Sequence, residues 1–204
     1  MTNETALDRP RAAKSAARRK HLLDTARNLF VEKGFHQTGM AQIAAASGIA
    51  VGQIYRDFAN KEAIIAAICE FEITAWLDEE SLSAAVTANN RDAILAWIER
   101  VGFEEPDCED RRLMCELLAE AGRNPAINQM HTKVDSRLRE SLGAALGSLA
   151  PAASAERQST VADFIIAMSW GMVALRELSP ESDHETLHTR LAQLLRQEVN
   201  ALQE

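Results

Sequence analysis

A carboxamide and a guanidinium stand three residues apart at Gln53 and Arg56, inside the stretch TGMAQIAAASGIAVGQIYRDFANK that runs from Thr38 to Lys61. On one helical face that pair suits base edges. A Gln amide can bond adenine in two places, and an Arg fork can bond guanine or grip a phosphate. Val51 and Gly52 belong to the same exposed side, and Gly52 lets a helix approach a groove closely. Tyr55 can offer its hydroxyl to a phosphate or bury its ring as a core aromatic. Thr38 combines a hydroxyl with an expected helix N-terminus, both suited to a phosphate oxygen, and a plain N-cap role is compatible with that. Lys61 opens a helix, where a cation opposes the dipole. A nearby phosphate removes that conflict; a solvated lysine is the alternative. Arg18, Arg19 and Lys20 form a basic cluster that contacts backbone, reaches a minor groove or stays a solvated arm.

These groups need helices to hold them. Leu22, Ala26, Leu29 and Phe30 recur at i, i+4, i+7 and i+8, which predicts a first helix over 15–33 with Gly34 as its stop. Residues 1–14 are polar, contain Pro10 and are expected to lack fixed structure. Thr38 is the expected N-cap of a second helix, with Met40, Ile43 and Ala44 inward. Gly48 supplies the positive φ of a tight turn. A short helix over 50–57 follows, with Ile54 inward, so the pair reads as a helix-turn-helix. Asn60 caps the next helix, which carries Ile64, Ile65, Ile68 and Phe71.

Further helical patterns cover 93–101, 107–122, 125 to about 148, 155–178 and 183–202. Asn124-Pro125 reads as a cap with Pro at the first helical position. Ser182 and Glu185 read as a capping box. No alternating β-branched runs occur, so the class is all-α. One boundary, near residue 62, separates a helix-turn-helix head over 15–62 from a helical body over 63–204.

The chain has 204 residues and a formal charge of -8, but the charge is uneven. Residues 1–62 carry 10 Lys and Arg against 6 Asp and Glu; the rest carries 12 against 24. A basic head can meet a polyanion because screening makes the local field decisive within about 10 Å. A solvated surface with uneven charge is the plainer reading. No apolar run reaches the roughly 20 residues that span a membrane, and the N-terminus has no secretory apolar core. Cys69, Cys108 and Cys115 form no CxxC, which suits a reducing cytoplasm. Cys108 and Cys115 are a possible thiol sensor or two ordinary free cysteines. His131 and Asp135 are spaced to share a metal or to form a polar face. No metal site or cofactor is implied, and no GxSxG, HExxH, Walker or Rossmann pattern points to an enzyme.

The order LF-x-EKGF, T-x-M-x-x-IA, SGIA-x-G-x-IY and F-x-x-KE over Arg18–Ile65 resembles the DNA-binding head of TetR/AcrR-family transcriptional repressors. That resemblance covers about a quarter of the chain. It implies about nine helices, a homodimer, a double-stranded DNA operator and a small-molecule effector bound in the body. It carries DNA contact onto Arg18, Arg19, Thr38, Ala50, Val51, Gly52, Gln53, Tyr55, Arg56 and Lys61. Two departures stand out: Ala50 replaces a common Ser, and YRDF puts Arg56 and Asp57 where another aromatic or His is frequent. In the body, Trp97, Met114, Leu118, Met130, Phe164, Met168 and Trp170 are candidate pocket-liners because they are large, adaptable and mid-helix, although for each alone an ordinary core role is the better reading. The implied dimer uses the last two helices in a four-helix arrangement, although the stripe Leu187, Leu191, Leu194 and Val199 also fits packing within one chain. The expected function is a ligand-responsive repressor. An activator of the same fold, or an interaction module that does not bind DNA, remains compatible with the sequence.

Overall fold

The apolar stripe Leu22, Ala26, Leu29 and Phe30 is buried as its spacing requires, each residue at most 8% exposed. Its helix starts earlier than expected. In the computed structural model, which describes residues 8–104 and 108–203 (side chains over 13–104 and 110–203), α1 is Asp8–Lys33. Pro10 lies in its first turn, where a missing N–H costs nothing. Residues 8–14 of the expected unstructured arm are therefore helical, and the remainder of that arm lies outside the described residues. Gly34 ends α1 with φ 85°.

Nine more helices follow among the described residues, with no strand: α2 Met40–Ser47, α3 Val51–Asp57, α4 Lys61–Leu77, α5 Glu79–Thr87, α6 Arg91–Phe103, α7 Cys108–Ala121, α8 Pro125–Leu149, α9 Ala155–Leu178 and α10 His184–Ala201. The all-α expectation holds. Three caps behave as their residue types predict. The Asn60 carboxamide accepts the Ala63 N–H at 2.9 Å. Asn124 accepts from Ala126 and Ile127, with Pro125 opening α8. Ser154 accepts from Arg157 at the start of α9.

Three local readings need correction. Gly39, not Thr38, is the N-cap of α2, and its N–H donates to the Gln42 side chain at 2.7 Å. Asp183 caps α10 by accepting the Thr186 N–H, so Ser182 and Glu185 form no capping box. The helix α5 was not anticipated. It begins after Asp78, whose φ of 47° breaks the chain and whose carboxylate accepts the Ser81 N–H.

The chain divides into two compact units. The first contains the residues up to Phe71 together with Glu116–Met130; the second is Glu72–Cys115 with the residues from His131 on. The single boundary read near residue 62 did not anticipate the return of 116–130 to the N-terminal unit. The core of that unit joins Leu22, Phe30, Phe35, Ile43, Ile54, Phe58, Ile64, Leu117 and Ile127. The second unit is organised around Leu77, Ile94, Ile98, Leu142, Leu146, Ile165, Leu191 and Leu195.

Candidate nucleic-acid interface

The helix pair α2 and α3 is fastened by two apolar pins, Ile43 and Ile54, both fully buried. Gly48 turns the chain between them with φ 68°, and Ala50 serves as N-cap of α3. The inward pin leaves the opposite side of α3 in solvent. Val51 is 44% and Tyr55 53% exposed, and Gly52 and Arg56 are exposed with them. Gln53 is half-buried. The Tyr55 ring is thus a surface group, not a core aromatic. A Cβ placed on Gly52 would meet nothing within 4 Å, so this face is open.

Thr38 is placed differently from the expectation. It is 1% exposed, and its hydroxyl donates to the carbonyls of Gly34 at 2.9 Å and Leu29 at 3.2 Å. It closes the C-terminal turn of α1 and does not present a hydroxyl to a phosphate. Lys61 also has an internal explanation. Its ammonium donates to the carbonyls of Phe35 at 2.6 Å and His36 at 3.3 Å, and lies 4.3 Å from the centre of the Phe35 ring. Those two carbonyls offset the unfavourable helix N-terminus, so no phosphate is needed to account for a lysine there. Neither Arg18 nor Arg19 is on a loose arm; both are within α1. Arg18 meets Asp57 at 3.4 Å, and the Arg19 guanidinium lies 4.5 Å from the centre of the Phe58 ring.

Two carboxylates missed in the sequence complete the head. Glu116 accepts the N–H groups of Phe35 and His36. Glu120, buried, pairs with His36 Nε2 at 2.8 Å and Arg123 Nε at 2.9 Å. The Arg123 hydrogen bond, together with His36, holds the Glu120 carboxyl below its ordinary range. No local pattern marked either residue, because both lie on α7, far along the chain from the turn they hold.

The apolar candidates for an effector pocket do not behave as one set. Trp97 is core, 5% exposed, and its indole N–H donates to Leu77 O at 2.5 Å. Met130 is buried in the first unit, while Leu118 is 47% exposed there. Met114, Phe164, Met168 and Trp170 are half-buried in the second unit, and the Trp170 ring faces His131 at 6.5 Å. A half-open cavity of about 230 Å³ in that unit is lined instead by Arg139, Gly143, Ala155, Gln158, Ser159 and Ala162. Asp135 is taken up by Arg139 at 2.7 Å, which removes it as a metal partner of His131. Burial pushes the Cys115 thiol up, with Glu177 adding to the shift, so it is a poor thiolate.

A helix pair with a left-handed glycine turn, an isoleucine pin on each helix and an open face on the second helix defines a helix-turn-helix head on an all-α chain. Residues 22–68 match the family model described as "Bacterial regulatory proteins, tetR family". It is similar to the HTH-type transcriptional activator FasR of Mycolicibacterium smegmatis, 29% identical over 100 residues, which are 48% of this chain and 46% of that protein. The chain spans about half the length of the curated relatives it matches. Its fold is also that of Salmonella enterica GusR, with a TM-score of 0.64 and 24% identity over 98% of this chain and 100% of the other. A structure described as a SmeT-Triclosan complex has a TM-score of 0.67 and 21% identity, with 91% of each chain covered. Among the described residues no helix is long and apolar enough to cross a membrane.

Proposed function

We propose that the chain is a dimeric, ligand-responsive transcriptional repressor of the cytoplasm that binds a near-palindromic operator. The observation that carries this reading is the α3 face: Val51, Gly52, Tyr55 and Arg56 in solvent, on a helix whose inner side is fixed by Ile54. Entry of α3 into a major groove brings Arg56 and the half-buried Gln53 to base edges and Tyr55 to a phosphate. Ala50 then stands at the N-terminus of α3, beside the backbone. Two heads related by a twofold axis require half-sites about one helical turn apart. In this division of labour residues 15–62 read DNA and 63–204 bind effector and partner.

The effector site is assigned to the half-buried Met114, Phe164, Met168 and Trp170 of the second unit. The triclosan complex of SmeT supports a small molecule as the class of ligand. A coupling of about 1–3 kcal/mol between that site and DNA changes operator affinity roughly 5–150-fold, enough for control. The dimer is assigned to α9 and α10, where Leu178 and Leu194 are exposed and Ala167, Gly171 and Ala174 form a small-residue surface. FasR is described as an activator, so activation is the second reading; the same contacts serve both, and operator position relative to the promoter separates them.

The test is fluorescence anisotropy of the full chain on duplexes selected from random DNA, with salt and a scrambled competitor titrated. Tight, competitor-resistant, salt-sensitive binding is expected. A chain that enriches no sequence and binds no duplex is an interaction module and not a DNA-binding protein.

A further inference from the structure

The carboxylate of Asp57 is out of place by ordinary helix electrostatics. It is the last residue of α3, where the helix end already carries partial negative charge and favours a cation. It also sits directly after Arg56, on a helix whose outer face is open, and is itself exposed. A negative charge there repels the phosphates that any docked duplex would bring close. The hydrogen-bonding partner that answers it is Arg18 of α1, at 3.4 Å, with both side chains a little over one-third exposed. The neighbouring cation, Arg19, is turned onto the Phe58 ring. Two of the basic residues that make the head positive are therefore gathered at the C-terminal end of α3, and one of them is answered by a carboxylate.

We propose that Asp57 is an electrostatic brake on DNA binding: it holds Arg18 away from the phosphate backbone and lowers the sequence-independent part of the affinity. The inference rests on the DNA-binding reading of the head. An exposed ion pair is weak, so Arg18 is withheld rather than locked, and a phosphate competes for it directly. Because phosphate contacts carry no sequence information, the brake weakens operator and random DNA by the same factor. Its use lies in release. An effector with limited coupling to the head can empty the operator only if the head does not hold the backbone too tightly.

The alternative role for an aspartate at this place is base reading, by accepting from cytosine N4. The two roles give opposite results. The experiment uses the full chain with Asp57→Asn, Arg18→Ala and the double variant, on two labelled duplexes: one selected from random DNA by the wild type, and one scrambled. Thermal melts verify that each variant folds. Asp57→Asn keeps the side-chain shape and removes the charge. It is expected to tighten both duplexes several-fold, by one common factor, and to steepen the plot of log affinity against log salt by about 0.9, the value of one added phosphate contact. Arg18→Ala alone leaves Asp57 unanswered and is expected to weaken both duplexes, and in the double variant the extra slope disappears.

The proposal is overturned if Asp57→Asn weakens the selected duplex and leaves the scrambled one alone, since Asp57 then reads a base. It is also overturned if affinity and slope stay at wild-type values, or if the extra slope survives without Arg18. The wild type alone tests the underlying reading: if it binds neither duplex, the DNA-binding assignment falls first and the brake with it.

Discussion

The Glu116 carboxylate accepts the backbone N–H of Phe35 at 3.0 Å, across 81 residues of sequence, and that of His36 at 3.1 Å with its other oxygen. From the opposite side Lys61 donates to the carbonyls of the same two residues. The turn between α1 and α2 is thus held by its donors and its acceptors at once. Its geometry sets where α2 starts, and through Gly48 where α3 points. Replacing Glu116 with Ala strands the part-buried N–H of Phe35 and leaves that of His36 to water, at a cost of about 1–3 kcal/mol. Urea denaturation of the full chain should show that loss, and hydrogen exchange should quicken at the Phe35 and His36 amides. An unchanged exchange rate at both would contradict the clamp.

Two left-handed glycines should respond differently to alanine. At Gly48, φ is 68° and a Cβ has open space, so Gly48→Ala carries only the backbone penalty of about 1–2 kcal/mol. At Gly34, φ is 85° and a Cβ would lie 3.1 Å from Glu116 Oε2, pressing on the clamp itself. Gly34→Ala should lower the melting temperature further than Gly48→Ala. Equal losses would mean that the Glu116 side chain moves aside freely.

Gly52 separates stability from function. It is helical, exposed and surrounded by space, so Gly52→Ala should stabilise the fold by up to about 1 kcal/mol through helix propensity. If α3 enters a groove at this point, the added methyl should at the same time weaken binding to a selected duplex. A variant that is more stable and binds equally well would place the groove contact elsewhere on the head.

Acid should loosen the second unit. A hydrogen bond from Arg137 holds the Glu79 carboxyl below its ordinary range, and the Thr186 N–H does the same for Asp183. Folded values below the unfolded ones mean that this stability is fully present above the unfolded carboxylate pKa of about 4, and is lost as pH falls through the folded values. The urea midpoint should therefore drop from about pH 5 downward. Glu79→Gln should start lower and fall less steeply over that range; a parallel curve would show that the Arg137 pair does not titrate with unfolding.

Leu178 is 81% exposed at the end of α9, on the surface to which the dimer is assigned. Leu178→Glu should leave the monomer fold intact, because the side chain makes little internal contact, and should shift sedimentation toward the monomer. Operator affinity should fall with it, since one head reaches one half-site. A variant that sediments as the wild type does would move the dimer surface off this end of α9.

Much of the secondary structure was legible because its causes are local. The stripe Leu22, Ala26, Leu29 and Phe30 and the pair Asn124-Pro125 each act within one or two turns, so spacing and residue type located α1 and α8. The open face of α3 followed in the same way from a single inward Ile54. The helix α5 was not legible, since EESLSAAVT has only a short apolar stripe and its start depends on one strained residue, Asp78.

The sequence by itself determined most of the helices, the helix-turn-helix and the surplus of positive charge in the head, since periodicity and composition are written in neighbouring residues. Tertiary structure alone decided what the polar side chains do. Thr38 spends its hydroxyl on α1, Lys61 on the carbonyls of a turn 26 residues away, and Arg18 on an aspartate 39 residues away. The physical reason is that a hydrogen bond needs a partner within about 3 Å, and which residues come that close is settled only when the helices pack.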